Sequence, residues 1–328
     1  MFARSAGLHV CPGAPAPGLA RRPGALKARL ALLLPLLLTA PVLGAAMSDS
    51  FATDPIAGGR AAVVGDATRF SYDAATHSVV AQYDTRLPTA ELVFPLGTTL
   101  TQNQSFTFST SFTIRSITNF DHTSGTDPLS SLGTAELSFG LLNSVTTGTN
   151  RTDGFSGNAY DLATVDYFPT NNQWGPPVVG ATVVENPEAG LSYYQQIDFP
   201  YSGAPTLPTF LNTGVPISAT VSYNAASHIL QAVFSASQLT IDPAQSNTFT
   251  WSQDLNVTAQ AYGDGFKGFS LDSFGLLLWD DSSAISQGYD APVSATIAYN
   301  GFSVATAPEP ASLGLLAVGA LVALRRRR

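Results

Sequence analysis

What the chain lacks narrows it first. Of 328 residues only Cys11 is a cysteine, and it stands ahead of the first apolar run, in a stretch expected to leave with a secretory leader. The exported part then has no thiol and no disulfide, so its stability rests on burial. Leu8, His9 and Val10 before Cys11 lack the small residues and the apolar run of a lipoprotein signal, which argues against lipidation there. Charge is scarce too, at 12% of residues, and nine of the fifteen Lys and Arg lie in the first 46 residues or the last four. From Gly44 to Thr306, six basic residues stand against 22 acidic ones, a net charge of −16. Phosphate is repelled by such a surface, so no nucleic-acid partner is expected; a solvated acidic face, or one that collects divalent cations, is.

Catalytic constellations are missing as well. His77, His122 and His228 each sit in a polar, turn-like setting without a G-x-S-x-G elbow, and no Cys or His cluster could hold zinc. The middle has only four glutamates, Glu91, Glu136, Glu185 and Glu188, of which the last two flank Asn186 and Pro187 in a turn. Retaining glycoside hydrolysis needs two carboxyls about 5 to 5.5 Å apart, and none of these glutamates belongs to a strand motif that supplies them. Lys and Arg are too few for the basic neutraliser that lyase chemistry uses. The chain is read as a non-enzyme.

Both ends carry targeting patterns. Arg21, Arg22, Lys27 and Arg29 precede the apolar run Leu30 to Val42, and Gly44, Ala45 and Ala46 follow it, the order of a secretory signal cut by signal peptidase near Ala46. Pro23 after the twin arginines, and the distance to the apolar run, favour the general secretory route over the twin-arginine one. At the other end stand Pro308, Glu309 and Pro310, an apolar stretch from Ala311 to Leu324, then Arg325, Arg326, Arg327 and Arg328. Fourteen residues make a helix of about 21 Å, short of a hydrocarbon core of about 30 Å unless the arginines snorkel. This tail resembles the PEP-CTERM sorting signal in every part. The resemblance implies a short transmembrane helix at the inner membrane, cytoplasmic arginines, and cleavage near the triplet by an exosortase. It also implies a Gram-negative producer and a final place at the cell surface or in exopolysaccharide.

The division expected is therefore a signal peptide over 1–46, one β domain over 47–306 and the sorting segment over 307–328. Ser, Thr, Asn, Gly and Pro abound in the middle, and apolar residues alternate with polar ones in Ser105 to Ile114, Thr134 to Leu142, Leu162 to Phe168, Val215 to Tyr223 and Ile229 to Phe234. Turns are expected at Asp66, at YNAASH from Tyr223, at YGDG from Tyr262 and at YNG from Tyr299. No amphipathic helix and no tandem repeat is found, so two antiparallel sheets packed face to face is the expected architecture.

Within that reading SFTFSTSFTI at Ser105, TAELSFGLLNS at Thr134, DLATVDYFPTNN at Asp161, ISATVSYNAASHILQAVF at Ile217 and FKGFSLDSFGLLLW at Phe266 resemble, in order, strands of the legume-lectin-type family. The resemblance implies an all-β, concanavalin A-like jelly-roll sandwich over roughly Phe51 to Val304. Its metal strand would supply Asp166, with Phe168 where the family has a second carboxylate, and Asn171 or Asn172 would match a downstream amide ligand. Calcium is the ion such a site would take, although one carboxylate and an amide leave most of its oxygens to backbone and water. Glu136 would be a shifted replacement for the family's acidic residue before the second strand. For sugar, Tyr167, Asn171, Asn172 and Trp174 bring hydroxyl-matching amides and stacking rings together in one loop-like stretch; the alternative is that the rings pack beneath the loop. Trp279, Asp280 and Asp281 are read as the end of a strand. Two roles remain open: a glycan-associated module of the extracellular polysaccharide, and a structural matrix protein without a specific ligand.

Overall fold

The computed structural model describes residues 46–118, 137–146, 161–168, 178–185, 195–198, 209–241, 244–256, 268–280 and 292–307, and the single positions 266 and 286. In chain order the strands are β1 (Ala46–Asp49), β2 (Ala62–Val64), β3 (Phe70–Asp73), β4 (Ser78–Asp84), β5 (Ala90–Thr101), β6 (Phe106–Ile117), β7 (Leu137–Leu142) and β8 (Leu162–Phe168). There follow β9 (Val178–Glu185), β10 (Gln195–Asp198), β11 (Thr209–Phe210), β12 (Ile217–Asn224), β13 (Ile229–Ile241), β14 (Ala244–Asp254), β15 (Ser270–Leu278) and β16 (Ser294–Thr306).

They form two sheets with antiparallel pairing throughout, the all-β sandwich the alternation predicts. The first runs β11-β13-β12-β6-β16-β4-β3, with β14 on the far side of β13 and β1 on the β4 side of β16. The second runs β10-β9-β8-β7-β15-β5-β2. In β6 the alternation is literal: Phe106, Phe108, Phe112 and Ile114 are buried while Thr107, Ser109, Ser111 and Thr113 are half-buried on the other face. Between the sheets the Phe274 and Phe302 rings stack at 4.3 Å and Phe94 meets Phe302 at 4.8 Å, with Phe51 and Phe108 alongside. Each such ring contributes roughly 1.5 to 3 kcal/mol by leaving water.

Two hairpins of the first sheet use the same turn. Tyr72 to His77 and Tyr223 to His228 both read Tyr, Asp or Asn, Ala, Ala, Thr or Ser, His. In each, the second residue's side chain accepts from the backbone N–H groups two and three residues on, and the histidine has positive φ, 48° at His77 and 53° at His228. The tyrosine hydroxyl donates to a backbone carbonyl, Phe51 O for Tyr72 and Gln102 O for Tyr223, so each histidine must donate from Nδ1 to the phenol oxygen.

Asp66 caps a short 3-10 turn, Ala67–Arg69, by accepting from Thr68 N, as a turn there requires. YNG at Tyr299 is a correction: it is not a loop but a bulge inside β16, where the register with β6 shifts between Tyr299 and Phe302. Gly301 has φ of 134°, and a Cβ there would lie 2.6 Å from Asp49 O and 3.1 Å from Ser50 Cα, so glycine serves the close passage of β1 rather than a chain reversal.

Candidate functional site

Tyr167 and Asp166, singled out in β8, are both buried, on opposite faces of the strand. Tyr167 is 3% exposed, packed in the core between the sheets, and its hydroxyl accepts from Leu211 N at 3.1 Å. Burial pushes its phenol well above the ordinary range. A ring so enclosed, packed between the sheets, leaves no face for the sugar stacking expected of it. Asp166 is fully buried on the opposite face of β8; Ser138 Oγ donates to its Oδ1, and Thr164 Oγ1 donates to its Oδ2 at 3.3 Å. Both oxygens are thus engaged by neighbouring hydroxyls. Among the described residues no group of three His, Cys, Asp or Glu could share an ion. Glu136, Asn171, Asn172 and Trp174 lie outside the described residues, as do Asp281, the Pro-Glu-Pro triplet and Arg325 to Arg328.

The outward face of the second sheet is itself dry. Val93, Leu142, Leu162, Leu277 and Trp279 form a second apolar cluster there, so Trp279 packs as the strand-end reading requires. Register places Glu91, Leu277, Ser138 and Asp166 in one row across β5, β15, β7 and β8. Glu91 and Asp166 are both fully buried, and three strand spacings put their backbones roughly 14 Å apart, too far for a retaining carboxylate pair.

The outward face of the first sheet is different. Ser109, Ser111, Ser218, Thr220 and Ser303 line a hollow of about 680 Å³ centred on the β16 bulge, and Thr107, Ser222, Gln231 and Ser252 line another of about 500 Å³ further along the strands. Charge touches the first hollow only at its rim, where Arg60 Nε donates to Asp49 Oδ2 at 2.7 Å and the rest of the guanidinium is held by Thr53. Hydroxyls and small side chains can exchange hydrogen bonds with a polyhydroxylated, uncharged ligand. Sequence reading passed over this face, although its signal is present: the polar partners in SFTFSTSFTI and ISATVSY are Ser and Thr throughout, never Lys or Glu.

The fold brings its two ends together. Ala46 pairs with Ala305, Met47 with Val304, Ser48 with Ser303 and Asp49 with Phe302, while Ala307 N donates to Ser105 O at 2.9 Å. Pro308 is the next residue, so the Pro-Glu-Pro triplet follows the sheet without a spacer.

Against known families, the chain matches the PEP-CTERM protein-sorting motif over residues 306–328. No curated protein matches it. Among solved structures it is similar to peanut lectin with a 9mer peptide, at 12% identity over 80% of this chain and 97% of that one with a TM-score of 0.44. Basic winged bean lectin with Tn-antigen is similar at 14% identity over 79% and 98%, TM-score 0.44. The seed lectin of Lotus tetragonolobus is similar at 16% identity over 81% and 100%, TM-score 0.43. The likeness is one of fold. No helix among the described residues is long and apolar enough to cross a membrane.

Proposed function

We propose that this protein is exported, held briefly at the inner membrane by its tail, cut by an exosortase, and delivered to the surface or extracellular polysaccharide as a non-catalytic, glycan-associated β-sandwich. The observation that carries the reading is the sorting motif matched at 306–328, joined to the last strand of the domain without a linker. Signal peptidase acts first, near Ala46.

The glycan part rests on chemistry at the surface. The hydroxyl-lined hollows of the first sheet are nearly free of charge in a domain carrying −16, so an uncharged polysaccharide meets no repulsion there. The processed protein is expected to bind one class of neutral glycan on a glycan array, with or without chelator, and to lose that binding when Ser109→Lys and Ser218→Lys fill the first hollow. A blank array would favour the structural matrix role instead. Sorting is tested separately: Glu309→Ala should leave the protein at the inner membrane with its tail attached, and normal release of that variant would overturn the exosortase step.

A further inference from the structure

β16 is the last strand before the tail, and it is central rather than peripheral. It pairs with β6 along its length, with β4 over Ser294 to Tyr299, and with β1 over Phe302 to Ala305. Among the described residues only β1 covers the second side of those last residues. A strand end bonded on one side opens more readily than one bonded on both, which opens only with its neighbours. β1 is in turn fastened from behind. Asp49 Oδ1 accepts from Phe51 N at 2.8 Å and its Oδ2 from Arg60 at 2.7 Å. Phe51, with φ of 52°, is fully buried against Phe94 and Phe302, and Tyr72 donates to its carbonyl at 2.9 Å.

We propose that β1 is a latch on the sorting junction: the residues that open the exported domain bond the second side of Phe302 to Ala305, keep the end of β16 in the sheet up to Ala307, and thereby confine the tail cut to peptide bonds beyond Ala307. This rests on the reading that the tail is cut at all. A processing enzyme needs an extended, unpaired stretch of substrate in its cleft, and with the latch closed no residue up to Ala307 supplies one. It follows that the leader must be removed no later in the chain than Ala46, since a cut inside Met47 to Asp49 would delete the latch. Processing at the amino end therefore sets the accuracy of processing at the carboxyl end, through pairing across a strand spacing of about 5 Å.

The test uses the full chain in an exporting host that has an exosortase, with intact mass giving both ends of the released protein. Wild type should yield one carboxyl end, at or beyond Ala307, and an amino end that retains Met47. Gly301→Val drives a side chain into Asp49 O and lifts β1; Asp49→Ala, which leaves β16 untouched, loosens it more gently. Both should raise, several-fold, the share of chains ending between Gly301 and Thr306, and both should make the amino end accessible to an aminopeptidase. If Gly301→Val fails to fold, Asp49→Ala carries the test. A wild-type end upstream of Ala307, or a freed amino end with the wild-type carboxyl end, overturns the latch. A wild-type chain that keeps its whole tail overturns the sorting reading, and the latch with it.

Discussion

The two sheets solve the same problem with opposite surfaces. The first is dry on one face only: β6 and β12 alternate core side chains with Ser and Thr that look outward. The second is dry on both at its described centre: every residue of β7 is buried, and the described side chains of β8 and most of β15 are too. A one-faced sheet tolerates change on its wet side and can offer that side to a ligand. A two-faced sheet has no spare side, which is why the β8 residues expected to reach solvent are packed instead.

This contrast can be broken most severely at Gly140. Its φ is 150°, and a Cβ would fall 2.6 Å from Ala163 O and 2.7 Å from Thr164 Cα, both backbone. Gly140→Val is expected to cost about 4 kcal/mol or prevent folding, read from urea unfolding. Next come paired substitutions on the outward faces. Leu277→Ala in the second sheet should cost about 2 to 5 kcal/mol, whereas Ser218→Ala in the first should stay within about 0.5 kcal/mol. Equal losses in the two would show that the first sheet's outer face is also covered. Removing one hydroxyl from the buried carboxylate, Ser138→Ala, should cost about 1 to 3 kcal/mol by thermal melting, because Asp166 stays buried with a partner lost.

The smallest effect separates the two like hairpins. Arg115 Nη2 donates to Asp73 Oδ2 at 2.8 Å, and chiefly through that bond the carboxyl of Asp73 is lowered from an ordinary 3.8 to about 2; Asn224 in the other hairpin carries no charge. A lowered carboxyl stabilises the fold above its unfolded value and stops doing so as pH falls through the folded one. The melting temperature of wild type relative to Asp73→Asn should therefore be slightly higher above pH 4 and converge near pH 2. A gap that persists to pH 2 would rule out the Arg115 pair as its source.

Legibility followed the same division. Strands of the first sheet announce themselves because one wet face forces period two, so Ser105 to Ile114 and Val215 to Tyr223 match β6 (Phe106–Ile117) and β12 (Ile217–Asn224) apart from residues at their ends. β5 was not, since Pro95 and Gly97 interrupt it; both are absorbed where the register with β15 slips between Leu271 and Ser273. Tyr167 and Asp166 were legible as a strand and illegible as a site. Alternation shows that two neighbours face opposite ways, but not whether the face each one meets is water or another layer.

By itself the sequence determined the export and sorting pattern, the all-β class and the hydroxyl character of one sheet face, because each is written in local composition and period. Tertiary structure alone decided which polar residues are buried, that YNG is a bulge rather than a turn, and that Ala46 lies beside Ala305. Those outcomes depend on pairing between segments up to 259 residues apart, where register and layer packing, not neighbouring residues, set what each side chain meets.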